Sequence, residues 1–179
     1  MTVKQTHAFS GSRITFTTPT SFDTVTAKLN AEIESDAGFN QEDVTAAVRR
    51  GGKDAFVKLC LSRVGAFGFM KFASIDHSWV QLFGVARGLR IRRILLGNPL
   101  IAITMLRQDL DAGLFVPVEV LVKESPERRG TEVLYVLPSS LIAGVNTDDR
   151  LRNAARVLDE KLEALIRHIT SPDPSKAKL

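Results

Sequence analysis

The chain has 179 residues, 44% of them hydrophobic and 25% charged, with a net charge of +4 at neutral pH; this suits one globular domain that builds its core without staples. The single cysteine, Cys60, excludes an internal disulfide framework and a cysteine-rich zinc site, and it fits a reducing compartment. No signal-peptide pattern or membrane-length apolar run is visible, and acids and bases interleave, so a cytoplasmic protein that neither enters membranes nor is dedicated to nucleic acid is expected.

Met1–Gln5 is a polar start, expected to fray. Ile14 and Phe16 alternate with Arg13, Thr15 and Thr17, which predicts a strand ending near Thr17. Pro19 breaks it. Thr20 or Ser21 then caps a helix whose apolar positions are Phe22, Val25, Leu29 and Ile33, with Asp23 favouring its N-terminus. Asp36–Asn40 reads as a loop. Asn40 and Asp43 resemble a capping box opening a short helix, Gln41–Arg50, stopped by Gly51-Gly52. Asp54–Val64 fits a helix through Phe56, Leu59, Cys60 and Val64, and a strand through Val57, Leu59 and Leu61; helix is the preferred reading. Phe67 and Phe69 are expected on one face of a glycine-punctuated strand, with Asp76-His77-Ser78-Trp79 at its end and Gln81–Gly88 leading onward.

The stretch from Arg90 to Ser140 organises the rest. Ile91–Leu96 is short, β-branched and bounded by Gly97, as a strand requires. Asn98 caps the next helix and Pro99 suits its first position. Leu100–Arg107 is apolar almost all round, so it is expected to be covered on most sides against the sheet. After a turn at Asp109–Gly113, Leu114–Lys123 alternates cleanly, with Leu114, Val116, Val118, Val120 and Val122 on the core face. Pro117 cannot donate to a ladder, so a free edge or a bulge is expected there. A polar turn, Glu124–Gly130, returns the chain through Val133, Tyr135 and Leu137 as an antiparallel hairpin. After a turn at Gly144–Thr147, Leu151, Ala154, Leu158, Leu162, Leu165 and Ile169 form one stripe of a last helix, with Asp148 and Asp149 at its start. Burying each such Leu or Ile is worth roughly 1.5–3 kcal/mol. Residues 1–170 are thus expected to form a single α+β domain, and Ser171–Leu179 a disordered tail.

Gly97-Asn98-Pro99, the run Asp109–Pro117, Leu137-Pro138-Ser139-Ser140-Leu141 and the closing Leu158-Asp159 with Lys161-Leu162 resemble, in order and spacing, the domain of unknown function 302 family. The resemblance covers roughly Ala8 to Ile169. It implies an antiparallel sheet of about five strands covered by helices, with a TATA-binding-protein-like topology (β-α-β-β-α-β-β-α). It also implies homodimers, and it implies no activity or cofactor. Asp36–Asp54 looks like a helical insertion after the first helix. Where many members carry a cysteine pair, this chain has Gly97 and Val118, so no redox or metal role follows from that pair.

No motif fixes a reaction. His77, with Asp76 or Glu119, is the candidate for acid–base chemistry, since imidazole titrates near neutrality; its structural alternative is to cap the strand end. His7 and His168 are scattered too widely to make a metal site with it. Asn98 at a helix N-terminus, with Arg92 and Arg93 upstream, is the candidate anion site, against the plainer reading of a capped helix and solvated arginines. Arg90 and Arg92 should share a strand face, with Arg93 opposite. Trp79 and Tyr135 are candidate pocket walls or simply core. Ser139-Ser140 lacks a nucleophile-elbow context, and Cys60 reads as a small buried hydrophobe. The expected function is a homodimeric binding domain for a small apolar or anionic molecule, in a pocket between sheet and helices near His77, Asn98 and Glu119. The alternative is an enzyme using His77.

Overall fold

A computed structural model of the chain describes residues 1–33, 39–126 and 129–172. The loop expected from Asp36, the middle of the turn at 127–128 and the tail from 173 onward lie outside the described residues.

Five strands form one antiparallel sheet: β1 (Arg13–Thr18), β2 (Met70–Asp76), β3 (Ile91–Gly97), β4 (Val118–Glu124) and β5 (Thr131–Val136). Their order is β1-β5-β4-β3-β2. Among the described residues five α-helices accompany them: α1 (Phe22–Ile33), α2 (Gln41–Leu61), α3 (Pro99–Leu106), α4 (Pro138–Ile142) and α5 (Asp149–Thr170). The core lies on one face of the sheet, where Ile94, Leu96, Val118, Val120, Val122, Val133 and Tyr135 meet α1 and α5. The period-two alternation of β4 and β5 places these residues inward. Ile75, Leu95, Leu121, Leu134 and Val136 alternate onto the other face, half-exposed or exposed, interleaved with the ion pairs Arg93–Glu119 and Lys123–Glu132.

The helix ends follow local chemistry. Ser21 Oγ accepts from the Thr24 amide at 3.2 Å, and Asn40 Oδ1 from the Asp43 amide at 2.9 Å. Asp148 accepts from Arg150 and Leu151 amides at the start of α5. The stripe of α5 is buried throughout, with Ala155 rather than Ala154 completing it.

The run from Gln41 does end its helical backbone at Gly51-Gly52, with Gly52 at φ 57°. A second helical run then continues to Leu61, so the ambiguous segment is helical up to that residue, as preferred. Several expectations are corrected. Phe67 and Phe69 lie outside β2, because the Gly65 amide bonds the Phe69 carbonyl and Gly68, at φ 82°, closes a tight turn. Gly65 itself permits a close approach: a Cβ there would sit 1.7 Å from the Glu32 carbonyl oxygen. The strand expected from Leu114 begins at Val118 instead. Leu114 and Phe115 end a 3₁₀ turn capped by Asp109, and Leu114 is 81% exposed. Pro117, which has no N–H, precedes the strand; β4 is interior, and next to Pro117 its residues Val118 and Glu119 pair only with β3, the ladder to β5 starting at Val120. The short helix α4 was not foreseen; Pro138 occupies its first turn. The expectation that α3 is covered on most sides also fails: only Met105 is fully buried, and Ile103 is 42% exposed.

Candidate functional site

The expected site residues are spread along β3. The His77 amide donates to the Ile91 carbonyl, and Asp76 is opposite Arg92. Glu119 is opposite Leu95, and Asn98 follows the strand. At about 3.3 Å per residue, His77 and Asn98 are roughly 20 Å apart along the strand. One small molecule does not bridge that span.

Each end has its own chemistry. Asp76 Oδ1 accepts from the Ser78 amide at 2.8 Å and from the Ser78 hydroxyl. Those bonds hold its carboxyl below the usual range. The half-buried His77 ring lies edge-on to Trp79, with centroids 6.2 Å apart, and its side chain makes no capping bond. Arg90 bonds Glu124 and Asp23 and lies 4.6 Å over the Phe22 ring, while Arg92 lies 5.9 Å from that ring. Arg93 points the other way and forks onto Glu119, one bond being 3.0 Å. The arginines therefore divide as the alternation predicts, and none reaches Asn98. Asn98 Oδ1 accepts from the Leu100 amide at 2.8 Å, and its Nδ2 donates to the Gly68 carbonyl at 2.9 Å. The Ile101 and Ala102 amides bond the Asn98 carbonyl. The Leu100, Ile101 and Ala102 amides of this helix start are therefore already engaged.

Tyr135 is 3% exposed, stacks on Phe16 and has no partner for its hydroxyl among the described residues. Burial pushes its pKa up to about 12. It is a core residue beneath α5. Cys60 is fully buried, and burial pushes its thiol up, so it is not an activated thiolate. Ser139 and Ser140 serve the backbone: the Ser139 amide donates to Asp159, and the Ser140 hydroxyl donates to the Leu137 carbonyl. His168 packs on Phe67 and lies 3.3 Å from Glu32. Among the described residues no three His, Cys, Asp or Glu side chains gather as a metal site, and no helix is long and apolar enough to cross a membrane.

Arg93, Glu119 and Tyr135 line one concavity of about 480 Å³ together with Leu121, Leu134 and Pro117, and Asn98 borders another. The latter, a groove of about 650 Å³, runs between the second half of α2, the flank of α3 and the chain at Val116–Pro117. Phe56, Val57, Leu100, Ile103 and Leu106 wall it, and Leu158 of α5 borders it. Gly97 lets Pro117 approach: a Cβ there would be 3.1 Å from the proline ring. Lys53 and Arg107 also border the groove, and none of its described lining residues is acidic.

A second feature is the β2–β3 connection. Trp79, Leu82, Phe83 and Val85 are 56%, 85%, 74% and 55% exposed. Ala86 and Arg87 adopt left-handed backbone there, at φ 64° and 46°. Neither feature was singled out from sequence. The signals were present: an all-round apolar helix, and a large-apolar run that fits neither period.

The family model described as "Domain of unknown function DUF302" matches residues 44–169. No curated protein matches the chain. A crystal structure of an uncharacterized conserved protein DUF302 from Bacillus stearothermophilus is similar, with a TM-score of 0.58 and 15% identity, over 89% of this chain and 98% of that one. At that identity the likeness shows the fold.

Proposed function

The chain belongs to the DUF302 family, and we propose that it is a homodimeric protein binding a small, largely apolar molecule in the groove between α2 and α3. The carrying observation is the groove itself. Its volume falls within the usual range for small-molecule sites, roughly 300–1,000 Å³. Its walls leave apolar side chains such as Ile103 exposed on the flank of α3. This moves the binding site to the Asn98 end of β3, away from His77.

Dimerisation is supported by the β2–β3 connection, whose contiguous exposed apolar side chains suit a self-complementary contact. The sheet order β1-β5-β4-β3-β2, with α1 after the first strand and α5 closing the chain, supports a TATA-binding-protein-like topology. The single cysteine supports a cytoplasmic location. Acid–base catalysis by His77 is not adopted. Asp76 is engaged by Ser78, and Glu119 is engaged by Arg93 on the exposed face of the sheet.

Native mass spectrometry of the full chain tests the reading. The expected result is a dimer carrying a discrete mass, released on denaturation and absent from Ile103→Asp. A monomer that takes up no apolar probe overturns it. Sedimentation of Leu82→Ser/Phe83→Ser should show the monomer; an unchanged dimer places the contact elsewhere.

A further inference from the structure

We infer that the groove takes an anionic amphiphile, with an apolar chain or ring for a body and one acidic head group such as a carboxylate. This rests on the ligand-binding reading above and names the chemistry of its ligand. Phe56, Val57, Leu100, Ile103, Val116 and Pro117 offer the body only apolar contact. The one uncharged polar side chain at the groove, Asn98, already has its oxygen on the Leu100 amide and its nitrogen on the Gly68 carbonyl. The next helix amides are taken by the Asn98 carbonyl. The α3 N-terminus therefore offers the head group no free amide from Leu100 to Ala102.

The charged residues decide its sign. Lys53 and Arg107 are the two charged residues bordering the groove, both are exposed, and neither makes a salt bridge among the described residues. They stand on the two helices that form its walls: Lys53 just after the Gly51-Gly52 break, Arg107 at the end of α3. Arg90, Arg93 and Arg167 are paired with acids, whereas Arg13, Arg49, Arg50, Arg92 and Arg156 also make no salt bridge among the described residues. It is therefore the position of Lys53 and Arg107 at an acid-free groove that matters. An acid-free apolar groove flanked by two unpaired cations is complementary to a negative head on a hydrocarbon body. Long basic side chains also lie along apolar surface for their own solvation, with no ligand involved, so the experiment must separate head from body.

Decanoate, decanol, octanoate and decyltrimethylammonium are titrated into the full chain by calorimetry at neutral pH. Decanoate is expected to bind at least tenfold more tightly than the cationic probe. It should bind about fifteenfold more tightly than octanoate, from two methylenes at about fourfold each. Lys53→Glu/Arg107→Glu should weaken decanoate at least tenfold and leave decanol within about twofold. Equal binding of acid, alcohol and cation, or a charge variant that binds decanoate normally, overturns the head-group inference while the groove reading stands. If no probe binds, or Ile103→Asp binds them all normally, the groove reading falls. A dimer broken by Ile103→Asp, with no probe bound to either protein, would assign the groove to a second copy of the chain and overturn both.

Discussion

Helices α5 and α3 carry their apolar residues differently, and the difference separates structure from site. In α5 one stripe is apolar, and Leu151, Leu158, Leu162, Leu165 and Ile169 are all buried. The opposite face is charged, with Arg167 bonding Glu163 one turn away. In α3 nearly every position is apolar, yet only Met105 is fully buried. An amphipathic stripe matches the surface that one sheet face can cover. A helix apolar all round exceeds that surface, and the excess on α3 faces the groove. Apolar surface beyond what the core can cover, rather than any titratable residue, is therefore what the proposed binding site rests on.

Substitutions in the two helices should show the contrast in order of size. Leu162→Ala leaves a cavity at a fully buried position of α5. It should lower unfolding free energy by about 2–5 kcal/mol in denaturant titration; a loss under 1 kcal/mol would mean that α5 is not the keystone of the core. Asn98→Ala removes the cap of α3 and the bond to Gly68. A loss of about 0.5–2 kcal/mol is expected in the same assay, together with weaker decanoate binding as the groove wall loosens. Ile103→Ser on the exposed flank of α3 should change stability by no more than about 0.5 kcal/mol, yet weaken probe binding clearly. If stability fell as far as in Leu162→Ala, the flank would be core and the comparison would collapse.

The smallest effect concerns pH. Asp159 of α5 accepts from the Ser139 amide at 2.9 Å, tying α4 down. Burial pushes its carboxyl up by more than that bond lowers it. With the folded pKa above the unfolded value, the stabilising contribution is complete below the unfolded pKa of about 3.9 and is lost as pH rises through the folded value. Asp159→Asn should therefore match or slightly exceed the parent in thermal stability at pH 7, with the gain shrinking toward pH 4. A variant less stable at pH 7 than at pH 4, relative to the parent, would show that the Ser139 bond outweighs burial.

Much of the fold was legible because its signals are local. The stripe of α5, the cap at Asn40, the Asn98-Pro99 helix start and the hairpin of β4 and β5 are each written in neighbouring residues. The errors came where a local pattern met a nonlocal constraint. Leu114 and Val116 continue the alternation of β4, but the Asp109 cap and Pro117 hold them off the ladder. Phe67 and Phe69 look like a strand face, but Gly65 and Gly68 fold them into a turn against α1 and α3. The expected site residues are spread out for a similar reason. His77, Glu119 and Asn98 are each plausible alone, and strand register sets them roughly 10–20 Å apart.

By itself the sequence determined most element types, the core faces of β5, α1 and α5 and of β4 from Val118 onward, and the family, because side-chain periodicity, caps and motif order are properties of adjacent residues. Only the tertiary structure decided which apolar surface stays uncovered and which polar groups are already satisfied. Both depend on what another part of the chain brings alongside: Gly68 to Asn98, Glu119 to Arg93, and α2 to the open flank of α3.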